Sequence, residues 1–267
     1  MKLGFIGTGN MGGAIVRAAA KAVGGQDIYI CNRTLAKSQA LSQEVGCQIA
    51  DGEEIAANCD YVFLGVKPQG MKELLSQISP ILQARKIPVV LISMAAGLSM
   101  QTIQSFAGGE YPVIRIMPNT PVAVGSGVIL YDATSQVTDG QLSDFLKAMS
   151  HGGLCDRLTE KLIDAGSAVA GCGPAFGAMF LEALADGAVA CGLPREKALT
   201  YAGQMLLGTA KLALETGVHP AQLKDAVCSP GGSTIAGVAA LEQGGLRSAT
   251  IDAVKKAYQR TKELGKQ

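Results

Sequence analysis

Short apolar runs alternate with helix-like stretches through the first 157 residues, and then the alternation stops. Leu3-Gly4-Phe5-Ile6 is uninterrupted and apolar, as expected of a parallel strand covered on both faces. A glycine-rich turn and an Ala-rich helical stretch over 11–23 follow, and Ile28-Tyr29-Ile30-Cys31 forms a second β-rich run. The spacing then predicts a helix over 35–45, a short strand over 47–50, a helical turn over 53–58 and a strand over 60–66. Beyond these it predicts a helix over 71–82, a strand over 88–93, a helix over 99–106 and a strand over 112–117. Residues 127–131 and 153–158 read as final strands, with no element assigned between them. Such alternation predicts an α/β fold with a Rossmann-like, doubly wound, mostly parallel sheet and helices on both faces.

From Thr159 onward helical periods take over, with helices expected over 175–191, 195–216, 220–227, 234–243 and 248–264. Gly192 and Pro194 stop the first of these. On the second, Leu199, Ala202, Leu206, Ala210 and Ala213 spread over a face too broad for one neighbour to cover. An interleaved dimerisation domain would cover it. The expected division is therefore a dinucleotide-binding domain over 1–157 and a helical substrate-binding and dimerisation domain over 158–267.

Gly7-Thr8-Gly9-Asn10-Met11-Gly12 matches G-x-G-x-x-G, and it stands between a strand and a helix that leads to a second strand, the context that makes the motif informative. Gly7 permits the tight turn, Gly9 lets a pyrophosphate approach the backbone, and Gly12 lets the helix pack close to the sheet. The helix start then offers free N–H groups and a positive dipole end. About 20 residues on, where an NAD site carries a carboxylate for the ribose 2′-OH, this chain has Asn32-Arg33-Thr34. Arg33 can grip a 2′-phosphate bidentately, with Asn32 and Thr34 as neutral donors, so NADP(H) is the preferred cofactor and NAD(H) a possible one. The plain alternative is that Arg33 is a solvated loop cation.

Ligands of doubly wound sheets sit at the carboxyl ends of the strands. That rule selects Val66-Lys67-Pro68, Met94-Ala95-Ala96 and Met117-Pro118-Asn119, where small residues and a rigid proline leave room for a nicotinamide ribose. Each also reads as an ordinary strand-to-helix turn. Lys67, the lone cation among them, could meet a phosphate or a substrate carboxylate, or simply end a strand. In the helical half, Ser229-Pro230-Gly231-Gly232-Ser233-Thr234 leads into a further helix start. Its free N–H groups and hydroxyls suit a small carboxylate, though serine and threonine are favoured at a helix start as caps alone. No histidine motif or carboxylate pair stands beside this loop. Hydride transfer to a protonated cyclic imine needs little more than orientation and a hydroxyl near the nitrogen.

Composition narrows the partners. The chain has 267 residues, 23 basic against 22 acidic, and a net charge of +1, with no basic stripe to suggest nucleic acid. Seven scattered cysteines form no C-x-x-C, so neither a disulfide framework nor a metal cluster is expected, and reduced thiols in the cytoplasm are. Strand-forming sequence from residue 3 argues against a signal peptide. The uncharged run near the middle, 165–181, is broken by Gly and Pro and falls short of the ~20 residues of a membrane span.

Taken in order, "GFIGTGNMG", "VKPQ", "MAAG", "RIMPNTP", "GCGPAF" and "SPGGSTIAG" resemble pyrroline-5-carboxylate reductases over essentially the whole chain. The resemblance implies the last step of proline synthesis, in which NAD(P)H reduces L-1-pyrroline-5-carboxylate to L-proline. It also implies a cytoplasmic homodimer formed through the helical domain, in several members five dimers joined as a decamer. It assigns the substrate to Ser229, Gly231, Gly232, Ser233 and Thr234. The Gly232 and Ser233 amides would hold the carboxylate and the catalytic Thr234 hydroxyl the ring nitrogen. Ile6 to Gly12, Asn32 to Thr34, Val66 to Pro68, Met94 to Ala96 and Asn119 would line the cofactor. The resemblance departs at Gly52, Cys172, Phe176 and Cys228, where Asn, Ser, Tyr and a hydroxyl residue are usual. Two other readings stand beside it, a related NADP-linked hydroxy-acid dehydrogenase and a non-catalytic NADPH-binding regulator.

Overall fold

A computed structural model of the chain describes residues 1–264. Two compact units are resolved: residues 1–172 with the C-terminal end from Ala257, and residues 173–256.

The first unit is built on eight strands. They are β1 (Leu3–Ile6), β2 (Ile28–Cys31), β3 (Gln48–Ile49), β4 (Tyr61–Leu64), β5 (Val90–Ser93), β6 (Val113–Pro118), β7 (Gly127–Ala133) and β8 (Gly153–Arg157), in the order β3-β2-β1-β4-β5-β6-β7-β8. Its helices are α1 (Asn10–Val23), α2 (Leu35–Val45), α3 (Gly52–Asn58), α4 (Pro68–Ala84), α5 (Met100–Ala107), α6 (Asp139–Met149) and α7 (Glu160–Ala170). Strand alternation explains the doubled core. Phe5, Phe63 and Ile92 point to one face, among Ile15 of α1 and Phe145 of α6. Ile6, Leu64 and Leu91 point to the other, among Met71 and Leu75 of α4 and Ile103 of α5. The Phe5 and Phe63 rings stack across β1 and β4 with centroids 4.2 Å apart.

The sheet is mostly parallel, as expected, with one reversal. β6 and β7 are antiparallel because only a short 3₁₀ turn, Thr120–Val124, and three further residues join them, too few for a crossover. β7 and β8 run parallel to each other because α6 supplies the crossover between them. The sequence reading left α6 out. Its signature was present: Thr138 and Gln141 form a reciprocal capping box, and Phe145, Ala148 and Met149 are buried. α4 also starts earlier than periodicity indicated, with Pro68 in its first turn, where a missing N–H is harmless.

The second unit holds α8 (Gly173–Ala190), α9 (Arg195–Thr216), α10 (Pro220–Ala226), α11 (Ser233–Gln243) and the greater part of α12 (Leu246–Leu264). Its helices bury very little of themselves. α8 encloses only Ala185, and α9 only Ala198 and Ala202. Met179 is 70% exposed and Leu214 85%. By length and composition alone, the run Glu160–Ala190 would be apolar enough to cross a membrane, but a turn at Gly171 and Cys172 divides it into two helices.

Candidate active site

In the first unit, the loops that matter leave β1, β2, β4, β5 and β6 at their carboxyl ends. Gly7 turns the chain with φ +98°, in the left-handed region where side chains are strained. Its N–H donates to the Cys31 carbonyl at 2.8 Å, and the Gly65 N–H donates to the Ile6 carbonyl at the same distance. A Cβ on either Gly12 or Gly65 would fall on the Gly7 carbonyl oxygen, so the loops after β1 and β4 meet where no side chain fits. At Gly9 the reverse holds, for a Cβ there would meet nothing within 4 Å. Gly9 is also the N-cap of α1 without any side-chain cap, and the first turn has no acid. This is a cradle for an anionic group, with free amides in front of it.

The next candidate residues follow β2. Arg33 is exposed and belongs to none of the ion pairs found among the described residues. Thr34 is the N-cap of α2 but does not cap it with its side chain, and the first turn has no acid there either. The Asn32 amide donates to the Thr34 carbonyl at 3.3 Å. Lys37, which sequence reasoning passed over, lies with Thr8, Gly9, Asn10, Gly13 and Arg17 around a cleft of about 250 Å³ between α1 and α2. A lysine in the first turn of a helix opposes the dipole unless an anion sits between them, and that conflict is the signal that could have found it. Arg17, by contrast, is committed to Glu44 through contacts of 2.6 and 2.7 Å, which hold the Glu44 carboxyl below its ordinary range.

Lys67 repeats the pattern as the exposed N-cap of α4, a cation at a positive helix end. Val66 and Pro68 flank it and are half-buried. Ala95 is buried, with its N–H 3.4 Å from the Ser93 hydroxyl, and Ala96 packs near Met117, Leu130 and Ile163. Asn119 is buried, and its side chain is already engaged: it donates to the Ala170 carbonyl at 2.9 Å and accepts from the Val128 N–H at 2.8 Å. What it can offer a cofactor is backbone. At Gly52, in the first turn of α3, a Cβ would meet only Ile6 Cδ1 at 3.8 Å, so the absence of a side chain is not forced by packing.

The glycine-serine loop lies in the second unit. Gly231 has φ +68°, and the Gly232 N–H donates to the Ser229 carbonyl at 3.0 Å. Gly232 is the N-cap of α11, and no side chain caps that helix. The hydroxyls of Ser229, Ser233 and Thr234 are exposed and are therefore not spent on capping, which was the plain alternative. A Cβ at Gly232 would meet the Ser229 hydroxyl, which would have to turn aside, and glycine leaves that space open. His219, one of the chain's two histidines, is spent as the N-cap of α10, accepting from the Ala221 N–H at 3.2 Å. That leaves the helical half without an evident histidine acid for a hydroxy-acid dehydrogenase.

Comparison with known proteins bears on both parts. Residues 160–264 match the family model described as pyrroline-5-carboxylate reductase dimerisation, and residues 2–97 match that of coenzyme F420-dependent NADP oxidoreductases. The chain is 42% identical to the pyrroline-5-carboxylate reductase of Synechocystis, covering 100% of this chain and 99% of that one. It is 38% identical to the Escherichia coli protein of the same name, covering 99% and 98%. Among solved structures it is similar to Plasmodium falciparum pyrroline carboxylate reductase with NADP bound, at a TM-score of 0.89 and 29% identity over 99% and 98% of the two chains. It is also similar to the Coxiella burnetii enzyme, at a TM-score of 0.86 and 34% identity over 98% of each.

Proposed function

The chain belongs to the pyrroline-5-carboxylate reductase family, and on that premise we infer that it reduces L-1-pyrroline-5-carboxylate to L-proline with NAD(P)H, the final step of proline biosynthesis. The observation that carries the reading is the uncapped start of α11, with bare glycine approach and unspent hydroxyls. The reaction adds a hydride to the ring carbon of a C=N bond and a proton to its nitrogen.

Bound reduced nicotinamide supplies the hydride. The chain's own residues bind and orient. The Gly232 and Ser233 amides take the substrate carboxylate, aided by the α11 dipole. The Thr234 hydroxyl bonds the ring nitrogen, with Ser229 and Gly231 shaping the loop. The open backbone at Gly9 fits a pyrophosphate, with Ile6, Gly7, Thr8, Asn10, Met11 and Gly12 around it. Val66, Lys67, Pro68, Met94, Ala95, Ala96 and the Asn119 backbone form the nicotinamide end.

NADP(H) is the preferred cofactor in this reading, held by Asn32, Arg33 and Thr34 with Lys37 as a second cation. Support comes from two acid-free, uncapped helix starts, the second of them flanked by Arg33 and Lys37, and from the NADP bound by the Plasmodium relative. The functional division lies at 157/158, supported by the dimerisation match from 160, although α7 itself packs on the sheet. The exposed apolar faces of α8 to α12 are then covered by a second copy rather than by lipid, and pairs assemble further into decamers. Seven unpaired thiols support a reducing cytoplasmic setting.

The test is NADPH oxidation followed with pyrroline-5-carboxylate, 2-keto acids and, in reverse, 2-hydroxy acids. Turnover with the cyclic imine alone is expected. A preference for the acids would overturn the assignment.

A further inference from the structure

A buried ionic cluster lies beside the cofactor turn and takes no part in the chemistry above. Arg115, in the middle of β6, has a side chain only 4% exposed. Its guanidinium pairs with Asp164 at 2.6 Å and with Glu160 at 3.6 Å, both on α7. Glu160 also accepts the Met100 N–H at 2.7 Å, and Asp132 of β7 accepts the Glu160 N–H at 2.7 Å. Arg115 Nε has no partner among the described residues. Buried ion pairs are poor sources of stability, since apolar residues of the same volume often do as well. A cluster that tolerates a wasted donor calls for another explanation.

Its placement gives one. The turn carrying Met94, Ala95 and Ala96 begins at Ser93 and ends at Met100, the first residue of α5. Ser93 is the register partner of Arg115 across β5 and β6. Met100 is fixed by Glu160, which Arg115 holds in place. One residue therefore connects to both ends of the turn, through its backbone at Ser93 and through Glu160 at Met100. Under Ala96 lies Ile163, on the same helix as the two carboxylates. Without Arg115, those carboxylates, four residues apart on α7, repel each other near an apolar patch, and α7 and the turn lose their common anchor.

We propose that Arg115 is a positioning residue for the nicotinamide end of the cofactor site, setting the Met94–Ala96 turn through Glu160 and α7. This rests on the reading of that turn as a cofactor wall. The test uses the full oligomeric enzyme with Arg115→Met, Arg115→Lys and Glu160→Gln, the last keeping an acceptor for Met100 N–H without the charge. Two quantities are measured: kcat and KM with NADPH, and the Kd of adenosine 2′,5′-bisphosphate, which fills only the adenine half. Arg115→Met should lower kcat/KM on the order of tenfold, as misplacement of a reacting group does. The fragment Kd should stay within about twofold, and Arg115→Lys should recover part of the loss. Equal weakening of fragment and whole cofactor, or no loss at all, overturns the proposal. If Arg115→Met does not fold, Glu160→Gln and Arg115→Lys decide on the same criteria. Ala96→Leu separates the two levels. If it leaves the NADPH KM unmoved, the turn is not a cofactor wall and the underlying reading fails. If it raises KM while the Arg115 variants do nothing, only the positioning role fails.

Discussion

Truncating Arg33 should remove discrimination between the two nicotinamide cofactors without touching the chemistry. Arg33 stands at the end of β2, exposed, in no ion pair among the described residues, and before a helix start without acids or a side-chain cap. Two unit charges 4 Å apart attract by roughly 1 kcal/mol in water and about 4 kcal/mol at an effective dielectric of 20. An exposed guanidinium lies nearer the first figure, and the second negative charge of the phosphate and bidentate geometry raise it. About 2 kcal/mol is a fair expectation, or roughly 30-fold in affinity. Arg33→Ala should therefore raise the NADPH KM about 30-fold and leave NADH within about twofold. Lys37→Ala should repeat the effect more weakly, about fivefold, because an ammonium lacks the fork that grips two oxygens. Both losses should shrink in high salt, where the screening length falls from about 10 Å at 0.1 M to about 3 Å at 1 M. The assay is kcat/KM for each cofactor at fixed substrate and two ionic strengths. Equal losses for NADPH and NADH would refute the argument, since NADH has no group for Arg33 to hold.

Thr234→Ala should lower kcat/KM on the order of 10²-fold, the loss of one well-placed donor. A drop under about threefold, ~0.7 kcal/mol, would reduce Thr234 to a helix-start residue, and thermal melts would show whether stability alone moved. Gly12→Val should abolish cofactor binding, measured by fluorescence titration, because its side chain would collide with the Gly7 carbonyl where the loops after β1 and β4 converge; retained binding would contradict that packing. Burial pushes the Cys59 thiol from its ordinary 9.0 up to about 12. The folded state thus keeps a proton that the unfolded chain releases, so its contribution is complete below pH 9 and is lost as pH rises toward 12. Melting temperature should fall across that window, and less steeply in Cys59→Ala; identical slopes would rule the thiol out.

Much of this molecule is legible in its sequence, and the failures have local causes. The glycine turn could be read because its residues have separate duties: Gly7 takes a positive φ, Gly12 touches the Gly7 carbonyl, and Gly9 faces open space. The helix α6 is hard to see in the sequence because it lies between two strands, and only its capping pair Thr138 and Gln141 marks its start. The reversal of β7 is hidden because periodicity carries no direction, whereas the length of the 119–126 connection does. The strand-end rule selects Asn119 but does not tell side chain from backbone, and its amide ties β6 to β7 and α7. Lys37 escaped notice because a lysine in a helix is ordinary, and only its place in the first turn, beside the α1 start, gives it meaning.

The bare faces of α8, α9, α11 and α12 have a consequence for how durability scales with abundance. If a second copy covers these helices, as proposed above, a protomer has no fixed melting point of its own. Dilution should lower its resistance to heat, and a cell making too little of it would lose the enzyme faster than in proportion.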